Sequence, residues 1–105
     1  MNILITGVHG FVGSNLVKYL FPDNTIYGLD IVAPEKEGVA RNFSWDDLES
    51  PDFPEIDAVI HLAGKAHDTR NKSAADVYFK VNTGLTQRIF DWFLAQPKAS
   101  RFIFF

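Results

Sequence analysis

The feature that most constrains this chain is the segment Thr6-Gly7-Val8-His9-Gly10-Phe11-Val12-Gly13, three glycines at fixed spacing between an apolar run and a helical pattern. Asn2 to Thr6 is short, apolar and rich in β-branched side chains, which predicts a buried strand. Phe11, Val12, Leu16, Val17, Leu20 and Phe21 then recur at helical spacing, and Pro22-Asp23-Asn24 closes that helix. Gly7 falls at the strand-to-helix turn, where the backbone needs an angle that other residues resist. Gly10 has no side chain to hold a pyrophosphate away from the main chain, and Gly13 lets the helix pack close against the strand. The helix start then offers unpaired N–H groups and a partial positive charge to two phosphates. No Gly-Lys-Ser/Thr follows, so the segment is not a P-loop.

A second signal lies downstream. Thr25 to Asp30 reads as a strand that ends in an acid, 17 residues beyond Gly13. A carboxylate there can accept hydrogen bonds from adenosine ribose hydroxyls and would repel a 2′-phosphate. The nearest downstream arginine is Arg41. NAD is therefore favoured over NADP as the cofactor.

The remaining pattern is an alternation. A short third strand is expected within Val39 to Trp45, followed by a helical turn around Asp46 to Glu49. Asp57 to Gly64 is a clear apolar strand, Ser73 to Gln96 a long amphipathic helix with Ser73 as N-cap and Pro97 as stop, and Arg101 to Phe105 a last strand. Strands that are apolar on both faces and alternate with helices predict an α/β fold, a Rossmann-type doubly wound parallel sheet. The expected strand order is 3-2-1-4-5, truncated after about five strands, with residues 1–105 forming one nucleotide-binding half domain.

Composition narrows the function classes. With 47% apolar and 14% aromatic residues in a chain of 105, a packed core is expected and disorder is not. The net charge of −3 and scattered basic residues argue against a nucleic-acid or anionic-membrane surface. Without cysteine there are no disulfides, zinc–thiolate sites or thiol catalysis. No signal peptide or membrane-length apolar run is visible, so a cytoplasmic location is expected.

Other groupings have plainer readings. His61, His67 and Asp68 could suggest a metal, but His61 lies in an apolar strand and no second pair has ligand spacing, so no metal is expected. His9 stands either as a phosphate contact or as a variable loop position. Phe90, Trp92 and Phe93 read as a helix end packed on the sheet, and Asp46, Asp47 and Glu49 as a solvated helix start.

These motifs, in this order, resemble the extended short-chain dehydrogenase/reductases, the NAD-dependent nucleotide-sugar epimerases and dehydratases. The loop matches from Thr6 to Asn15, Asp57 to Gly64 looks like the family's fourth strand, and Asn82 within Lys80-Val81-Asn82-Thr83-Gly84-Leu85 matches its helix asparagine. The resemblance implies that Phe11 and Val12 present backbone N–H groups to the pyrophosphate. It implies that Leu62, Ala63 and Gly64 line the ribose and nicotinamide side of the cleft, and that Asn82 organises the active-site end of the fourth strand. It also implies an acid after the third strand that meets the adenine amine, a place open to Asp46 or Asp47.

One departure from the family matters. Its catalysis uses a Ser/Thr after the fifth strand and a Tyr-x-x-x-Lys pair, the tyrosine being a general base. Tyr19, Tyr27 and Tyr78 are followed four residues later by Asp23, Ile31 and Asn82, never by lysine. No catalytic residue is therefore expected here. Two readings stand: the N-terminal, NAD-binding portion of a nucleotide-sugar epimerase or dehydratase, whose sugar substrate would bind only to the full-length protein, or a non-catalytic dinucleotide-binding or sensor module. The aromatic last strand, unpaired on one side, further predicts self-association through that edge.

Overall fold

The computed structural model describes residues 1–30, 36–62 and 84–104. Five parallel strands form one sheet: β1 (Asn2–Thr6), β2 (Thr25–Leu29), β3 (Arg41–Phe43), β4 (Ala58–His61) and β5 (Arg101–Phe104), in the order β3-β2-β1-β4-β5. That is the order expected from the sequence. Helix α1 (Phe11–Leu20) links β1 to β2, a 3-10 turn (Trp45–Glu49) follows β3, and residues 84–94 are helical, here α2. Ser73 and the first part of that predicted helix lie outside the described residues, as do Ala63, Gly64 and Asn82.

Strand alternation sends neighbouring side chains to opposite faces, and both faces are apolar. Ile3, Ile5, Ile26, Ala58 and Ile60 pack with Val8 and Val17 beneath α1. Leu4, Leu29, Phe43 and Val59 point the other way, into a cluster with Leu48, Ile56 and Ile89 of α2. Leu4, Ile5, Leu29, Val59 and Ile89 have no exposed surface at all. Each fully buried aliphatic of this kind contributes about 1.5–3 kcal/mol. Two-sided burial is what makes the strands read as unbroken apolar runs.

The α2 face is closed by aromatic rings. Phe43 and Phe53 lie 4.5 Å apart between centroids, Phe53 meets Trp92 edge-on at 5.3 Å, and Phe93 meets Phe102 of β5 at the same distance. The aromatic end of the helix thus packs on the sheet, as its sequence pattern suggests. A guanidinium adds a polar tie, since Arg88 Nη2 donates to the Trp45 carbonyl at 2.8 Å.

β3 lies within Val39 to Trp45, as expected, its limits set by Val39, which closes a turn onto Lys36 O, and by Ser44, which begins the cap of the 3-10 turn. Two features differ from expectation. β2 stops at Leu29, leaving Asp30 just beyond the strand, with its N–H still donating to Phe43 O at 3.1 Å. Phe11, placed by spacing on the apolar stripe of α1, is instead 86% exposed. It sits in the first turn of α1, where the helix begins.

Candidate functional site

The carboxyl ends of β1, β2 and β4 meet at one edge of the sheet, and the chain reverses its strand order between β1 and β4. In open α/β sheets this reversal opens a crevice where ligands bind. Gly7, Asp30 and Leu62 are the residues that follow those three strands or lie just past them.

The glycine loop begins with Gly7 at φ 67°, a left-handed angle that a side chain would strain. Its N–H donates to Leu29 O at 2.9 Å, so the turn is tied to β2 as it leaves β1. Gly10 N–H closes the loop onto Gly7 O at 3.0 Å, and Gly10 is the N-cap of α1, its carbonyl accepting from Ser14 N–H at 2.9 Å. No side chain caps this helix start. The first N–H groups of a helix have no intrahelical partner, so Gly10 leaves them for whatever anion the crevice receives.

Gly13 is needed for a different reason. A Cβ there would lie 2.7 Å from Val8 O and 2.8 Å from Gly7 O, both backbone atoms that cannot swing aside. The missing methyl is what allows α1 to sit against the loop. At Gly10 the same construction meets Gly7 O at 3.3 Å, a tight but milder approach. Gly28 of β2 makes a third close contact, because a Cβ there would collide with Asn42 Oδ1 and lie 2.7 Å from Val8 Cγ1.

Asp30 faces this loop. Its Oδ2 accepts from the main-chain N–H of His9 at 3.2 Å, across 21 residues of sequence. The acid at the end of β2 and the glycine loop are therefore one piece of structure. Sequence spacing placed Asp30 near the crevice but gave no sign of this bond. Among the described residues, His9 Nε2 and Asn42 Oδ1 are buried side-chain atoms without a hydrogen-bond partner.

On the β4 side the wall is set by a buried chain of hydroxyls and imidazole. Thr6 Oγ1 accepts from Leu62 N–H at 3.0 Å and lies 2.6 Å from His61 Nδ1, whose Nε2 is 2.9 Å from Thr86 Oγ1 of α2. Thr6 and His61 have no exposed surface. Thr6 is fully buried and Thr86 only partly, so the arrangement that pairs the buried hydroxyl proton has Thr6 donating to Nδ1; the neutral ring then carries its proton on Nε2 and donates to Thr86. Burial also holds the His61 pKa below its ordinary value. His61 is thus a satisfied strand histidine, the plainer of its two sequence readings.

Asp47 has a structural occupation. Its Oδ2 accepts from Ser44 N at 2.9 Å and Ser44 Oγ at 3.2 Å, closing a capping box on the 3-10 turn. Among the described residues no three His, Asp or Glu side chains gather closely enough to hold a metal ion, and no helix is long and apolar enough to cross a membrane.

A strand, a glycine turn, an uncapped helix start and an acid just past the next strand are the arrangement found in Rossmann-type folds. The chain belongs to the NAD dependent epimerase/dehydratase family, whose model matches residues 3–105. It is similar to a dTDP-glucose 4,6-dehydratase of Streptomyces griseus, 28% identical over 86% of this chain and 33% of that protein. Among solved structures it resembles the UDP-N-acetylglucosamine 4-epimerase of Bacillus cereus, with TM-score 0.72 and 27% identity over 99% of this chain and 37% of that one. A short-chain dehydrogenase/reductase superfamily protein from Agrobacterium tumefaciens, solved with bound NAD, gives TM-score 0.70 and 27% identity over 99% of this chain and 32% of its own. The chain spans about a third of the length of these relatives.

Proposed function

We propose that this chain binds NAD and serves as the cofactor-holding portion of an enzyme that epimerises or dehydrates a nucleotide-linked sugar. The observation that carries the reading is Asp30, held by the His9 N–H at the mouth of a helix start that no side chain caps. The cradle fits the cofactor on its own terms. Gly10 and Gly13 clear the main chain for a close approach, and the first turn of α1 supplies donors for a pyrophosphate. In this reading Gly7, Gly10 and Gly13 shape the loop, and the backbone N–H groups of Phe11 and Val12 meet the phosphates. Asp30 accepts from the adenosine ribose diol, and Leu62 lines the cleft, together with Ala63, Gly64 and Asn82 of the matching motifs.

When bound, NAD supplies hydride acceptance from a sugar carbon. This chain's residues bind and orient the dinucleotide; the family's Tyr-x-x-x-Lys pair has no counterpart among its tyrosines. The relatives named for UDP- and dTDP-sugar chemistry support nucleotide sugars as the substrate class.

Isothermal titration tests the proposal. NAD should bind more tightly than NADP, because the 2′-phosphate of NADP would meet the Asp30 carboxylate. Asp30→Ala should weaken NAD about 10-fold or more, the loss of a charge-assisted hydrogen bond. Equal affinity for the two cofactors would defeat the assignment of Asp30.

A further inference from the structure

The glycine loop and the segment that leaves β4 are both tied to one residue, Thr6. It ends β1, and Gly7 opens the loop directly after it. Across the β1–β4 pairing, Leu62 N–H has two acceptors on Thr6, the carbonyl at 3.3 Å and Oγ1 at 3.0 Å. The shorter bond is the one to the side chain, so the course of the chain beyond β4 depends on where the Thr6 hydroxyl sits. A threonine side chain has a few staggered positions, and the one it keeps follows from what its hydroxyl can reach. Here the hydroxyl reaches His61 Nδ1 at 2.6 Å, and the other nitrogen of that ring lies 2.9 Å from Thr86 Oγ1 of α2. Phe102 and Phe104 of β5 lie beside the imidazole, their ring centroids 6.2 and 5.6 Å from its own. The ring is thus held at both nitrogens, and through it the Thr6 hydroxyl.

We propose that His61 is a positioning residue of the crevice: by anchoring the Thr6 hydroxyl it fixes where Leu62 stands relative to the glycine loop. This rests on the NAD-binding reading above, in which Leu62 lines the cleft. His61 touches no ligand. It acts through Thr6, and a wall that is already fixed loses less affinity to ordering when the dinucleotide arrives.

The test separates the two nitrogens of the ring. An asparagine carries its Oδ1 on Cγ, where Nδ1 stands, and keeps an acceptor for Thr6; a glutamine reaches instead towards the place of Nε2 and Thr86. The full chain is titrated with NAD at a temperature where every variant is folded. His61→Gln should weaken NAD about 5- to 10-fold, and His61→Asn should recover most of that loss. Thr6→Val, which removes the hydroxyl and nearly keeps the shape, should bind like His61→Gln, and Thr6→Ser should recover. Adding Thr6→Val to His61→Gln should weaken NAD no further, since both remove one bond. Unfolding temperatures of the same set identify a merely structural histidine, for which affinity would follow stability; positioning makes affinity follow the Thr6 bond. The Thr6 pair carries the test if changes at His61 unsettle the sheet. Undiminished NAD binding by His61→Gln and Thr6→Val, or equal losses in each conservative pair, overturns the proposal. If Asp30→Ala weakens NAD while Thr6→Val does not, only this inference fails; if the unmodified chain does not bind NAD, both fail together.

Discussion

At the residue scale, the glycines of the loop do separate jobs, and the structure says which substitution each would tolerate least. Gly13→Ala puts a methyl within 2.8 Å of two carbonyl oxygens of the loop. Relieving it means moving α1 or the turn, so a loss of about 1–3 kcal/mol in stability is expected from thermal or urea unfolding, together with weakened NAD binding. Gly13 was legible from the sequence because its neighbours in space are also its neighbours in the chain. The bond from His9 N–H to Asp30 was not, since nothing in either residue's surroundings advertises a partner 21 positions away. The Thr6, His61 and Thr86 chain is similar: each is an ordinary residue locally, and only the β1–β4 pairing and the docking of α2 bring the three together.

His61 also gives the fold a pH dependence with a definite sign. Its folded pKa lies below the ordinary value of 6.5, so the unfolded chain binds the proton more readily. The stability that this group contributes is complete above about 6.5 and falls as the pH drops below it towards the folded pKa. A protonated ring would present a second donor to Thr6 Oγ1 and leave that hydroxyl's own proton unpaired. Urea midpoints measured from pH 8 down to pH 5.5 should fall, and the fall should be smaller in His61→Gln, which has no titrating ring.

At the element scale, α2 and β5 are held by the same aromatic face, and their outer sides differ. Ile89 is the fully buried residue of α2, seated in the cluster with Leu4, Leu29 and Val59. Ile89→Ala should lower stability by about 2–5 kcal/mol, read as a shifted denaturation midpoint. On β5, Phe102 turns inward to Phe90 and Phe93, whereas Ile103 and Phe104 are 44% and 62% exposed. Among the described residues β5 pairs only with β4, so its other edge carries apolar side chains beside backbone groups that can pair with a second strand. Light scattering should therefore show association at high concentration, reduced by Phe104→Lys. A monomer at every concentration would count against the edge as an interface. The strands themselves were readable because two-sided burial makes them continuous apolar runs. β3 was less readable, being three residues long with its limits set by a turn at Val39 and a cap at Ser44.

At the scale of the whole molecule, the fold brings the glycine loop, Asp30 and Leu62 to the carboxyl ends of three central strands and keeps the aromatic core on the far side of the sheet from α1. A ligand held at that edge stabilises the folded chain by mass action, so saturating NAD should raise the unfolding temperature, with a gain of about 2.7 kcal/mol at a hundred times its Kd. NADP at equal concentration should raise it less. The strand order followed from the alternation of elements and the handedness of parallel crossovers, which leave few other arrangements.

The hydrogen bond between Asp30 and the turn before α1 links two properties usually treated as separable. The acid proposed to choose between dinucleotides is also a brace for the glycine turn, through the His9 N–H. Redesigning this crevice for a phosphorylated ribose by exchanging the acid would loosen the very loop the new ligand must rest on. A successful switch would need a replacement that still reaches His9's amide, or a fresh support for that turn introduced at the same time.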